Sequence, residues 1–228
     1  MTSPDLTRRT VLTAALAAGA GAVLPATLSA APANPAANPM QPEYYELRAY
    51  HLRRGPMGKR LDEYLKEAFI PAARRAGCGP VGAFNVTIGI GAPTTYVLVP
   101  HPTLDSFGTL ADKLAADAEY AKAAATFLAL PATDLPYVGL EVRLMRAFPH
   151  FPKVEAPKPE PRIFELRTYR SHAEPAGAKK VEMFDTAGEI AIFRRAGLTP
   201  VFFARDMTGP ALPSLTYLLT YPDMAARD

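Results

Sequence analysis

Two copies of a short polar motif are the residues best suited to chemistry in this sequence. Residues 45–50 read YELRAY, and residues 164–169 read FELRTY. If each segment is a β-strand, its Glu, Arg and Tyr share one face, because successive side chains of a strand point to opposite sides. An arginine beside a tyrosine can bind a small anionic or aromatic molecule. The candidate ligand-binding residues are therefore Glu46, Arg48, Tyr50, Glu165, Arg167 and Tyr169.

A second interpretation of the same motif is structural. Each glutamate could pair with an arginine across neighbouring strands, which would satisfy a buried charge and fix the register of the sheet. Duplication does not separate the two interpretations, because a structural ion pair would be copied as well. No catalytic residue is assigned.

The histidines and the cysteine indicate neither a metal site nor a cofactor. His51 and His101 end predicted strands, His150 lies in a predicted linker, and His172 follows the repeated strand. None lies on a predicted helix or has the i, i+4 spacing of a helical ligand pair. Cys78 is the single cysteine, so neither an intramolecular disulfide nor a CxxC site can form. Because the sequence shows no base beside it, Cys78 is interpreted as a small residue in a turn.

Composition limits the partners. The chain has 228 residues and a formal net charge of +3, without a long run of like charges. A nucleic-acid partner is therefore not expected. The hydrophobic fraction of 49% is sufficient for a substantial core.

The elements that would position the motif follow one order in the first half of the chain. Alternating and helical apolar patterns predict β-α-β-β-α-β, a ferredoxin-like module, over residues 43–148. Pro71 should kink its first helix. The predicted elements are a strand (43–53), a helix ended by Gly77 and Gly79, two strands (81–90 and 94–99), a long helix (103–129) and a strand (137–148).

The second half repeats this order. RRAG at 74–77 recurs at 194–197, and TYVL at 95–98 recurs as TYLL at 216–219. A strand (162–171), a helix (about 177–196) and two strands (200–207 and 214–221) are predicted, followed by the first turn of another helix. Residues 162–228 are therefore expected to be a C-terminally truncated second module, joined to the first by a proline-rich linker (149–161).

Two such modules are expected to pack sheet to sheet as an α+β fold of the dimeric α/β-barrel kind. Each sheet carries helices on one face only, so its open face must be covered. The Glu-Arg-Tyr faces are expected to line the space between the sheets.

The N-terminus is interpreted as an export signal. Residues 1–30 contain Arg8-Arg9, a short, mildly apolar stretch and small residues before Ala30, which is typical of a twin-arginine signal. The export machinery is the expected partner, and the expected location is periplasmic or extracellular. Residues 31–42 are expected to form a disordered linker.

The strand motif followed by an amphipathic helix and a hairpin resembles the NIPSNAP domain of the dimeric α/β-barrel superfamily. The resemblance covers residues 43–148 as one domain and 162–228 as the first two-thirds of another. It implies this fold and no assigned reaction. Together with the signal and the polar faces, the expectation is an exported protein that binds a small anionic or aromatic ligand between its sheets. The alternatives are a superfamily oxygenase, cofactor-free or haem-dependent, acting on a small aromatic substrate, and a structural module that assembles through outer strand edges, including as a homo-oligomer.

Overall fold

The computed structural model describes residues 41–89 and 91–228. The predicted signal (1–30) and nearly all of the predicted linker (31–42) lie outside the described residues. Seven antiparallel strands form one sheet in the order β2-β3-β1-β4-β6-β7-β5. They are β1 (Tyr44–His51), β2 (Gly82–Asn85), β3 (Thr94–His101), β4 (Gly139–Ala147), β5 (Ile163–Arg170), β6 (Thr199–Asp206) and β7 (Ser214–Tyr221).

The strand positions predicted from alternation are largely confirmed. β1, β3, β4, β5, β6 and β7 fall within two residues of the predicted bounds at each end. β2 is the exception: it ends at Asn85, although a strand to residue 90 is predicted. Its apolar pattern continues into the hairpin loop, where Ile88 is exposed, so burial does not hold the second half of the segment in the sheet.

The helices, apart from the short last one, cover one side of the sheet. They are α1 (Met57–Tyr64), α2 (Ile70–Arg75), α3 (Leu104–Ala116), α4 (Ala118–Leu128), α5 (Glu174–Asp185), α6 (Glu189–Arg195) and α7 (Met224–Arg227). A π-helical turn, Leu65–Phe69, joins α1 to α2. α1 to α4 pack on Val97 and Val99 of β3, while α5 and α6 pack on Phe203 and Tyr217 of β6 and β7. Among the described residues, no helix combines the length and apolarity that crossing a membrane requires.

The sheet curls until its two end strands meet. β4 joins β6 through three residue pairs, Met145 to Ala147 opposite Ala204 to Asp206. Phe84 of β2 and Phe164 of β5, at opposite ends of the strand order, have ring centroids 4.8 Å apart. The two predicted sheets are thus joined edge to edge, and their shared concave side holds a core that includes Tyr45, Leu47, Leu98, Phe202 and Leu218.

Candidate functional site

The first copy of the polar motif faces the helices. The Arg48 guanidinium lies 4.5 Å from the centre of the Phe69 ring in the π-helical turn, and Tyr50 packs edge-on against Tyr137. Leu47, on the opposite face of β1, is the residue that enters the concave core. The expectation that Glu46, Arg48 and Tyr50 line the space between the sheets is therefore wrong. Both faces of β1 are buried, so alternation alone did not reveal which one the helices cover.

The second copy has the same orientation. Arg167 donates to Glu165 at 2.8 Å and to the Tyr217 hydroxyl at 3.4 Å, and Tyr217 donates to Tyr169 at 3.0 Å. Tyr169 packs on Phe184 of α5. The two copies thus lie in separate helix-covered cores, and the structure does not bring the six predicted residues together. Each arginine pairs with the glutamate two residues earlier on its own strand, not across strands.

A buried cluster that the sequence did not reveal forms around Glu46. His101 Nε2 lies 3.1 Å from one Glu46 oxygen, and Arg48 Nε donates to the other at 2.7 Å. His101 Nδ1 lies 3.4 Å from the Cys78 sulfur. The register explains the meeting, because His101 of β3 stands opposite Tyr44. Gly79 N–H also donates to the Pro100 carbonyl, which holds the cysteine turn against the end of β3.

The charges of this cluster compensate one another. Burial disfavours the imidazolium, but hydrogen bonds to Cys78 and Glu46 outweigh it and raise the pKa of His101 to about 9. Burial also raises the pKa of Glu46, but the hydrogen bond from His101 and the charge of Arg48 outweigh it and bring it below its ordinary value. The thiol of Cys78, the imidazole of His101 and the carboxylate of Glu46 follow one another as they do in enzymes where a histidine, oriented by a carboxylate, activates a cysteine nucleophile. Cys78 is nevertheless only 5% exposed, so in this conformation the cluster is structural.

The concave side of the sheet contains a cavity of about 570 Å³. It lies beside the two end strands, β2 and β5, and none of the described strand pairings links these strands to each other. Most of its wall is aromatic or aliphatic. The apolar wall includes Leu47, Phe84, Leu98, Phe164, Phe202 and Leu218.

Arg143 of β4 supplies a polar end to the cavity. Its Nη1 donates to the hydroxyls of Thr168 and Thr216, each at 3.1 Å. The same nitrogen lies 3.7 Å from Asp206, whose carboxylate accepts from Ser214 and Thr216. The other oxygen of Asp206, Oδ1, is buried and has no hydrogen-bond partner among the described residues.

Sequence reasoning missed Arg143 for a physical reason. Alternation along β4 puts Arg143 on the side opposite to Leu140, Val142 and Leu144, and the apolar side would ordinarily be taken as the buried one. In the structure Val142 is 44% exposed, while Arg143 lines the cavity. The register of β1 against β4 is the signal that could have identified Arg143. It places Arg143 directly opposite Leu47, on the same face of the sheet.

One rim of the cavity carries an ion pair. Arg227 donates to Glu165 at 3.1 Å, and both residues line the cavity with Met224. Among the described residues there is no group of three His, Cys, Asp or Glu side chains suited to a metal ion.

Comparison with known proteins identifies similar folds. No family model and no curated protein sequence matches the chain. The chain is similar to the structure of a proposed monooxygenase from Lactobacillus acidophilus NCFM, with 8% identity and a TM-score of 0.54 over 82% of this chain and 80% of that one. The chain is also similar to the structure of a proposed monooxygenase from Fusobacterium nucleatum. The identity is again 8% and the TM-score 0.54, over 82% of this chain and 79% of that one.

NIPSNAP family proteins are also among the structural neighbours. One from Agrobacterium tumefaciens C58 is 21% identical, with a TM-score of 0.38 over 46% of this chain and 86% of that one. The matches above 0.5 support the curled, antiparallel α/β-barrel-like fold. At 8% identity they carry no reaction over to this chain.

Proposed function

We propose that this protein binds a small, largely apolar molecule in the concave cavity of its sheet. The observation that carries the proposal is the cavity itself, about 570 Å³ in volume, with an aromatic and aliphatic wall and few polar groups. Ligand pockets typically have volumes of about 300–1,000 Å³ and this kind of lining. No reaction is proposed, because the cavity contains no pairing of a nucleophile with a base among the described residues.

The cavity rather than the polar motif is the proposed binding site. Glu46, Arg48 and Tyr50 are covered by α1 to α4, and Glu165 alone of the six motif residues lines the cavity. The Glu-Arg pairs are proposed to hold the helix-covered faces of β1 and β5. The ligand itself would contact side chains of the opposite face, such as Leu47 and Leu166.

Binding of a neutral fluorescent probe, N-phenyl-1-naphthylamine, to the full-length protein tests the proposal. We expect saturable binding with one site per chain. Leu166→Trp adds bulk to the cavity wall and should weaken binding at least tenfold, which corresponds to about 1.4 kcal/mol. Ile192→Trp, on an exposed position of α6, is the matched control and should bind like the wild type.

The fold of both variants must first be verified by circular dichroism. Wild-type affinity in a folded Leu166→Trp protein would overturn the cavity as the binding site. Absence of saturable binding to the wild type would overturn the proposed function.

We also propose that residues 43–148 and 162–228 derive from two copies of one ferredoxin-like module of NIPSNAP type. The strand order β2-β3-β1 in the first half recurs as β6-β7-β5 in the second, which supports the duplication. The repeated ELR motif on β1 and β5 supports it as well. An experimental structure with a different strand order in the second half would contradict it.

Export through the twin-arginine route is the proposal for the N-terminal residues. Arg8-Arg9 and the small residues before Ala30 support it. Expressed in a bacterium that has this route, the wild-type chain should reach the periplasm with a new N-terminus after about residue 30. Replacing both arginines by lysine should leave it in the cytoplasm. Periplasmic protein at wild-type level from the double variant would contradict the proposal.

A further inference from the structure

We infer that the ligand is an amphipathic anion, a compact apolar or aromatic carboxylate, whose carboxylate binds the guanidinium of Arg143. The inference rests on the proposed function, since it concerns the same cavity. It assigns a specificity-determining role to a residue outside the repeated polar motif.

Arg143 is the cationic side chain placed at the apolar wall. It stands opposite Leu47 in the pairing of β4 with β1, and Leu47 in turn stands opposite Leu98 of β3. All three residues line the cavity. A ligand that lies against these two leucines would therefore meet the guanidinium.

The guanidinium is held before a ligand arrives. Nη1 is bonded to Thr168 of β5 and to Thr216 of β7, so the side chain reaches from β4 to the other half of the sheet. The two hydroxyls also lie 3.0 Å from each other. A donor that is already oriented loses less conformational freedom on binding, which favours affinity.

One edge of the guanidinium is available. Nε and Nη2 have no acceptor among the described residues, and this edge offers the two parallel N–H groups that match a carboxylate. Gly209 lies beside it: a Cβ there would come within 3.4 Å of Nε. The positive φ of Gly209, 142°, also favours glycine at this position. The β6–β7 loop therefore supports the arginine stem without placing a side chain against its free edge.

The acidic groups nearby do not occupy that edge. Asp206 approaches Nη1, and its Oδ2 accepts from Ser214 and Thr216. Glu165, at the rim, is paired with Arg167 and Arg227. Of the charged side chains that line the cavity, Arg143 and Arg227 are cationic and Glu165 is anionic. Because Asp206 already compensates part of the Arg143 charge, the open Nε–Nη2 edge, and not the net charge of the lining, is what favours a carboxylate.

The test compares two ligands of nearly equal shape, 1-naphthoate and 1-naphthamide, by displacement of N-phenyl-1-naphthylamine from the full-length protein. We expect naphthoate to bind the wild type at least tenfold more tightly than naphthamide. Arg143→Met should abolish this preference while retaining affinity for the neutral probe. Arg143→Lys keeps the positive charge but lacks the two parallel N–H donors of the guanidinium, so it should show an intermediate preference for naphthoate.

Arg146→Met is the matched control, because Arg146 lies on the same strand but its guanidinium packs over Tyr44 on the helix side. It should keep the preference for naphthoate. Equal binding of the two ligands by the wild type would overturn the inference while leaving the proposed function intact. Failure of the neutral probe to bind would instead overturn the proposed function. If Arg143→Met does not fold, the inference is tested by the preference of the wild type for naphthoate and by the reduction of that preference in Arg143→Lys.

Discussion

At the scale of single residues, the cluster of Glu46, Arg48, His101 and Cys78 is the most demanding part of the core. The Glu46 side chain is 5% exposed and that of His101 is fully buried, so each charge depends on its partners for stabilisation. Removal of one member of such a buried pair typically costs about 3–5 kcal/mol, because the other charge is left without compensation.

The raised pKa of His101 gives this cluster a defined pH dependence. A group whose pKa rises on folding stabilises the folded state fully below its unfolded value, about 6.5, and this stabilisation is lost as pH rises through about 9. The free energy of unfolding of the wild type should therefore fall from pH 6.5 to 9, by at most about 1.4 kcal/mol per pH unit from this group. Urea unfolding at several pH values measures it.

Replacement variants separate this effect from the other titrating groups. His101→Gln should be less stable than the wild type at pH 6.5 and should have a flatter profile between pH 6.5 and 9. His172→Gln, at an exposed position, should keep the wild-type profile. Parallel profiles for the wild type and His101→Gln would contradict a protonated His101 in the folded protein.

The sequence predicted that Glu46 and Arg48 share a face, but it predicted neither their pairing along one strand nor their surroundings. The identity of Glu46 and Arg48 and their common face follow from period-two alternation. Their meeting with His101 and Cys78 depends on the β1–β3 register and on the turn after α2, which are long-range properties. For that reason the sequence alone shows no base beside Cys78, although His101 lies there in the structure.

At the scale of the elements, the irregularity expected at Pro71 takes the form of a π-helical turn. Proline lacks an N–H and its ring crowds the carbonyl four residues earlier, so the regular ladder cannot pass through it. The chain widens into the π-helical turn just before Pro71, where Ile70 N–H bonds to the Leu65 carbonyl, five residues back. The wider turn contains Phe69, the ring on which Arg48 packs.

Helix boundaries are a further feature that the apolar pattern of the sequence does not predict. A single helix over 103–129 is predicted, but α3 ends at Ala116 and α4 begins at Ala118. Asp117 between them is extended and accepts from Tyr120 N–H as the N-cap of α4. It is also paired with Arg75 of α2. The apolar period continues through the break, so the pattern alone does not reveal it.

The N-cap of α3 allows a test of a single element. Thr103 accepts from Ser106 N–H at 3.1 Å and closes a capping box with the Ser106 side chain. Thr103→Ala should lower the free energy of unfolding by about 1 kcal/mol, and Thr103→Ser should restore most of it. Urea titration followed by circular dichroism measures the change.

Thr109→Ala is the control within the same helix. Its hydroxyl donates back to the Asp105 carbonyl on an exposed face, so the substitution should be neutral or slightly stabilising. If Thr103→Ala and Thr109→Ala lowered the free energy of unfolding equally, the N-cap would make no specific contribution to stability.

At the scale of the whole molecule, the sequence predicted the strands and a barrel-like arrangement better than the way the sheet closes. Six strands were located within two residues at each end, because runs of aromatic and β-branched residues bounded by turn residues mark strands locally, even where both faces are buried. The junction of β4 with β6 comprises three residue pairs, and no local pattern marks it. The cavity follows from this junction and from the curl, so its lining, including Arg143, could not be predicted from one strand at a time.

The contact between Phe84 and Phe164 is a junction of the cavity wall that contains no described strand pairing. β2 and β5 meet there through two rings in an edge-to-face arrangement, and no described strand pairing connects them. Such an aromatic pair contributes about 0.5–1.5 kcal/mol beyond its buried area, much less than a ladder of backbone hydrogen bonds. Separation of the two rings would thus widen the cavity between β2 and β5 without breaking a described strand pairing. The residence time of a bound molecule would then depend on its contacts inside the cavity, and not on the opening of hydrogen bonds between strands.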